Sequence, residues 1–146
     1  MAKKDKGFTI IEVALVLAIA GLIFLVVFLA LPALQRSQRD TARRQEVGNV
    51  VSALQQYTSD NQGTNATTWA QISGYLGGGD GKQSQLTSGI MNQSGSASTI
   101  TGTSYAYISA AGNKCGASGE LTTSTNTRQQ AVRTKLESGG VYCQNM

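Results

Sequence analysis

The sequence predicts an α+β protein: a long N-terminal helix, transmembrane in its first half and amphipathic in its second, packed on a small antiparallel β-sheet. Three observations predict it. Every residue from Val13 to Leu31 is apolar or glycine. Beyond Pro32, Leu34, Val47, Val50, Val51, Leu54 and Tyr57 recur at helical spacing. The last third carries short runs that alternate as strands do.

The apolar run of about nineteen residues nearly spans a hydrocarbon core of ~30 Å at ~1.5 Å per residue. It is hydrophobic all round, so no face expects water. Lys3, Lys4 and Lys6 precede it, and Arg36, Arg39, Arg43 and Arg44 follow it. Because both flanks are basic, loop charge decides the orientation poorly. A cleaved secretory signal is the rival reading, since Ala18 to Ala20 mimics a peptidase site. Against it, apolar residues continue three turns further, and Glu12 interrupts the start of the run.

The amphipathic continuation is expected to reach about Asp60, with Arg36, Arg39, Arg43 and Gln55 on its polar side. Its arginines read most simply as a solvated face near lipid headgroups, with attraction to anionic lipid or to acidic groups of adjacent subunits as an addition. Gly21 and Pro32 are weak points. Glycine lowers helix stability by about 1 kcal/mol, and Pro32 removes a hydrogen bond and predicts kinking or loosening near Phe28 to Pro32.

Asp60 to Thr68 is a loop by composition, and "WAQISGYL" (Trp69 to Leu76) a short helix with Trp69, Ile72 and Leu76 on one face. "GGGDGK" (Gly77 to Lys82) invites a phosphate-loop reading, but Leu76 and Gln83 stand where that motif needs Gly and Ser or Thr. It reads as a turn. Gln83 to Thr103, rich in Ser, Thr and Gly, reads as an exposed loop region. Asn65-Ala66-Thr67 and Asn92-Gln93-Ser94 match glycosylation sequons. Strands are expected at "SYAYISA" (Ser104 to Ala110), "AVRTKLE" (Ala131 to Glu137) and "VYCQ" (Val141 to Gln144).

Composition excludes several functions. There is no histidine among the 146 residues, and the net charge is +4. From Gln45 onward five basic residues balance five acidic ones (Lys82, Lys114, Arg128, Arg133 and Lys135 against Glu46, Asp60, Asp80, Glu120 and Glu137). That near-neutral body gives no strong evidence for nucleic acid, whose binding needs concentrated positive charge. No catalytic constellation appears, so the expectation is a building block rather than an enzyme, without cofactor or metal. A calcium role for Asp60 or Asp80 lacks ligand spacing. Cys115 and Cys143, without histidine, do not read as a zinc site. Downstream of a membrane segment they read as one disulfide in an oxidising compartment, against the alternative of two buried thiols.

The stretch "KKDKGFTIIEVALVLAIAGLI" resembles the start of type IV pilins and of the related pseudopilins of type II secretion and competence systems. The shared pattern is a short basic leader ending in Gly, then Phe, a few apolar residues, Glu and an apolar helix. Here these are Gly7, Phe8, Thr9 to Ile11 and Glu12. The resemblance covers about the first quarter of the chain; beyond it only the layout agrees. Pro32 falls a few residues later than the helix-bending proline of well-known pilins.

The resemblance implies that a prepilin peptidase cuts after Gly7 and methylates the new amine of Phe8. It places the leader in the cytoplasm and the body outside, anchored in the inner membrane before assembly and extracellular in a fibre afterwards. In a growing fibre Glu12, one turn from Phe8, would meet a neighbour's amine, because two charges costly in hydrocarbon relieve one another when paired. The alternative is a Glu12 that snorkels to the headgroups. The implied partners are identical subunits in a helical filament, the peptidase, and a pilus assembly platform with its ATPase machinery. A C-terminal disulfide is also common in such chains.

The expected organisation is a leader (1–7), a transmembrane and assembly helix (8–34), its amphipathic half (35–60) and a globular pilin-like head (61–146). The leading function is a type IV pilin serving adhesion, twitching motility or DNA uptake. The alternatives are a pseudopilin and a monomeric membrane-anchored receptor or adhesin.

Overall fold

Helix α1 (Ile10–Asp60) accounts for 51 residues of the computed structural model, which describes residues 7–77, 85–86, 88–93 and 100–146. Leucine, alanine and valine dominate its first half, and helical assignment runs through both Gly21 and Pro32 without a break. A helix keeps its backbone hydrogen bonds internal, which an apolar surrounding demands. The helix ends where Gln62 (φ 54°) and Gly63 (φ 81°) take left-handed conformations. The Gly63 amide then donates to the Thr58 carbonyl, five residues back, at 2.8 Å.

The chain forms two compact units, 1–36 and 37–146. In the first, a window of 18 residues reaches a mean hydropathy of 3.2 with none of it buried, long and apolar enough to cross a membrane.

In the second unit, α1 buries one stripe: Asp40, Arg43, Glu46, Val47, Val50, Val51, Ala53 and Leu54. Spacings of three and four place them along one face. Helix α2 (Trp69–Ser73) is shorter than the stretch to Leu76 that was expected. The Gln71 Oε1 accepts from the amides of Thr67 (2.8 Å) and Thr68 (2.9 Å), which satisfies donors at the helix start. Ile72 and Leu76 are buried as the spacing predicts, and Trp69 packs against the core at its edge.

Six strands follow: β1 (Ser88–Gln93), β2 (Tyr105–Ser109), β3 (Asn113–Cys115), β4 (Leu121–Thr123), β5 (Ala131–Lys135) and β6 (Val141–Asn145). The main sheet has the order β1-β2-β5-β6, and β3 and β4 form a separate pair. β2, β5 and β6 are antiparallel and match the three expected strands to within two residues.

Two expectations are corrected. β1 lies inside the segment read as exposed loop, and it pairs with β2 in parallel, so the sheet is mixed. Gly89 lets the Trp69 ring lie directly on this strand; a Cβ on Gly89 would overlap that ring. The β3–β4 hairpin was also unexpected. With it over one face and α1 over the other, the first four residues of β5 are buried on both sides. The main core joins Val47, Val50, Val51 and Leu54 of α1 to Ala106 and Ile108 of β2 and Val132 of β5. Leader residues 1–6, most of the turn read at Gly77 to Lys82, Asp80, and Ser94 of the second sequon lie outside the described residues. The first sequon is packed into the head: the Asn65 side-chain amide donates to the Arg128 carbonyl at 2.6 Å, and Ala66 is fully buried.

Candidate functional site

At the helix start, the Thr9 carbonyl accepts from the amides of Glu12 (3.1 Å) and Val13 (3.3 Å). Helix α1 begins at Ile10, so Thr9 is the residue before it and Glu12 its third. That is the Thr-x-x-Glu spacing of a capping box, and it sets a carboxylate where the helix dipole favours negative charge. The capping spacing was legible in the sequence, although Thr9 was read only as part of the apolar lead-in.

Around this carboxylate the surface is apolar and open. Phe8 is 83% exposed and Ile10 91%. Phe8, Glu12, Val13, Val16 and Leu17 together line a shallow concavity on the helix. Glu12 lies four residues after Phe8, about one turn along a helix. A Cβ at Gly7 or Gly21 would meet nothing within 4 Å. The chain's own packing therefore does not require glycine at either place.

The second unit holds a charge cluster that sequence reasoning missed. Glu137, just beyond β5, takes Arg39 Nε at 2.8 Å on one carboxylate oxygen and Arg43 Nη2 at 2.8 Å on the other. Asp40 Oδ1 accepts from the Glu137 amide at 2.7 Å and Oδ2 from the Ser138 amide at 3.1 Å. Arg43 Nη1 also lies 3.3 Å from Asp40. Two turns further, both oxygens of Glu46 accept from the Gln85 amide, at 3.0 and 2.9 Å.

Burial pushes the Asp40 carboxyl up, but the amides of Glu137 and Ser138, the Ser138 side chain and the Arg43 charge outweigh it and hold it below the usual value. Hydrogen bonds from Arg43, then Arg39, hold Glu137 low as well. This corrects the reading of a solvated face at Arg43 alone, which is 4% exposed and internally paired, while Arg39 stays exposed although it pairs with Glu137. Arg36 and Arg44 are exposed, and Arg44 sits 5.3 Å over the Tyr142 ring.

Cys115 and Cys143 are joined as a disulfide, with Cα atoms 5.8 Å apart. The bond ties β3 of the hairpin to β6 of the main sheet. Beside it the Cys115 amide donates to Asn145 Oδ1 at 2.7 Å. Arg133, paired in register with Cys143, is wholly buried and donates from Nη1 to the Gly119 carbonyl at 3.2 Å. Burial lowers the pKa of its guanidinium.

Asp60, at the end of α1, accepts a hydrogen bond from Tyr75, which pushes that phenol up. Among the described residues, no group of three His, Cys, Asp or Glu side chains is placed to hold a metal ion.

Residues 2–28 match the family model described as the prokaryotic N-terminal methylation motif. No curated protein and no solved structure matches the chain. The motif marks a precursor processed by prepilin peptidase, as in type IV pilins and pseudopilins. Together with the apolar helix it supports a membrane-anchored precursor.

Proposed function

We propose that this chain is a type IV pilin, a structural subunit and not an enzyme. A prepilin peptidase cuts it after Gly7 and methylates Phe8, and the subunits polymerise through the N-terminal half of α1 into an extracellular fibre. The observation that carries the reading is one carboxylate. Glu12 stands at a fixed four-residue spacing from Phe8 at the head of an apolar helix whose side chains find no cover in their own chain.

In apolar surroundings an unpaired Glu12 or an unpaired amine is costly, and each removes the other's penalty when they meet. The charge pair thus favours the assembled state over the lone subunit and sets axial register between copies. The machinery implied is an assembly platform with its ATPase, and the fibre's uses are adhesion, twitching motility or DNA uptake.

The test is electron microscopy of the sheared surface fraction, comparing wild type with Glu12→Ala at equal membrane abundance. Long, abundant wild-type fibres and a loss of fibre in the variant are expected. Short or absent fibres with intact processing would point instead to a pseudopilin. No processing after Gly7 and no filament would indicate a monomeric receptor or adhesin. Wild-type fibre yield from Glu12→Ala would restore the snorkelling role for Glu12.

A further inference from the structure

The way α1 is attached to the head changes chemistry at Val47. From Val47 to Leu54 every buried position is apolar, and before Val47 the buried positions are Asp40, Arg43 and Glu46, all charged. Asp40 and Glu46 are each 7% exposed and Arg43 4%, so these are interior contacts and not surface decoration. Each is met by a short connecting segment instead of a core strand. The turn between β5 and β6 supplies the Glu137 carboxylate and the amides of Glu137 and Ser138. Gln85 supplies the amide that Glu46 accepts.

Apolar contact tolerates small slips and persists at any pH. Charged contacts depend on geometry and protonation, and well-packed hydrophobic residues often replace buried ion pairs without loss of stability. A chain that needed only attachment would continue the valine stripe.

We propose that α1 is fastened to the head in two sections. Val47 to Leu54 is the permanent one. Arg39 to Arg43 is held by a strap, the turn after β5, that opens separately when Asp40 and Glu137 lose their charge. The carboxylates concerned are Asp40 and Glu137, and the charged groups facing them are Arg39 and Arg43 from α1. The turn is self-contained: Gly139 has φ 95°, the Leu136 amide donates to the Gly140 carbonyl at 2.8 Å, and Gly139 and Gly140 both have open space where a Cβ would sit. Opening the strap frees a little over one turn of α1 while the valine stripe keeps the helix on the sheet. In a fibre subunit loaded through its N-terminal helix, that section would give way first. This use rests on the function proposed above; the strap itself does not.

Hydrogen exchange read by mass spectrometry on the full chain in detergent micelles tests it, with protection factors corrected for intrinsic rates. In Glu137→Gln, amides within 39–43 are expected to lose tenfold or more protection and to exchange well before those within 47–54, whose protection falls only as far as the global stability does. Asp40→Asn is expected to do the same, and lowering the pH through the carboxyl range should reproduce the effect in the unmutated chain. The strap is overturned if 39–43 and 47–54 share one protection in the unmutated chain, the variants and the acid series alike, or if 39–43 is unmoved in the variants and in the acid series. The pH series needs no variant, so a failure of either variant to fold leaves the question decidable. Absence of processing after Gly7, seen in the chain's mass, would count against the pilin reading without touching the exchange result.

Discussion

Asp40 accepts two backbone amides from a turn almost a hundred residues away in sequence, and stability should therefore depend on its charge. Its folded carboxyl, like that of Glu137, is held below the usual value. The folded state thus binds fewer protons than the unfolded chain near those values. The stabilisation is complete above the ordinary carboxyl range and is lost as pH falls through the folded values. Thermal unfolding of the head should show a flat melting temperature above about pH 5 and a fall below about pH 4. Asp40→Asn should lower stability by about 1–3 kcal/mol at neutral pH by weakening the acceptor for two amides, and should flatten the acid limb. An acid limb as steep as in wild type would mean that other carboxylates govern it. Gly89 offers a second check at this scale. Gly89→Ala should cost about 1–3 kcal/mol through overpacking, and it should move Trp69, the chain's one tryptophan. Intrinsic fluorescence reports that displacement, and an unchanged spectrum with unchanged stability would contradict the contact.

Among the elements, α1 was the most legible and β1 the least. The apolar run announces itself by composition, and the valine stripe by spacing, because both signals are local. β2, β5 and β6 were legible for the same reason. β1 was not, because "SGIMNQ" offers two large apolar residues and a glycine. It is a strand through parallel pairing with β2, with the Trp69 ring, twenty residues earlier, lying on Gly89, and neither partner is local. Arg43 was misread through a similar gap: its partner Glu137 lies 94 residues on, and no local pattern marks the pair. The Phe8–Glu12 spacing was legible, since it depends on neighbours in sequence alone. Where α1 meets the sheet, Leu54 is fully buried at the centre of the core. Leu54→Ala should destabilise the head by about 2–5 kcal/mol. Chemical denaturation of the full chain measures this, and a loss under about 1 kcal/mol would place the core elsewhere.

Across the whole molecule, the two units carry different work: an open apolar helix bearing the methylation motif, and a head closed by one disulfide. The bond spans 28 residues and encloses β4, β5 and the turn that grips α1. On the loop-entropy model it stabilises the fold by roughly 3–4 kcal/mol. Reduction should lower the head's melting temperature and expose the tail to protease, with the helical signal of the apolar segment retained. Free labelling of both thiols in unreduced protein would contradict the bond.

The assembly role proposed for Glu12 requires a free amine on Phe8, and the most direct measurement of it is the intact mass of the chain recovered from the cell surface. The expected mass is that of residues 8–146 with one added methyl group and two fewer hydrogens for the disulfide, and Gly7→Val should abolish it. A surface chain that retains Met1 to Gly7, or one that starts after Ala20, would contradict the proposed assembly mechanism at its first step.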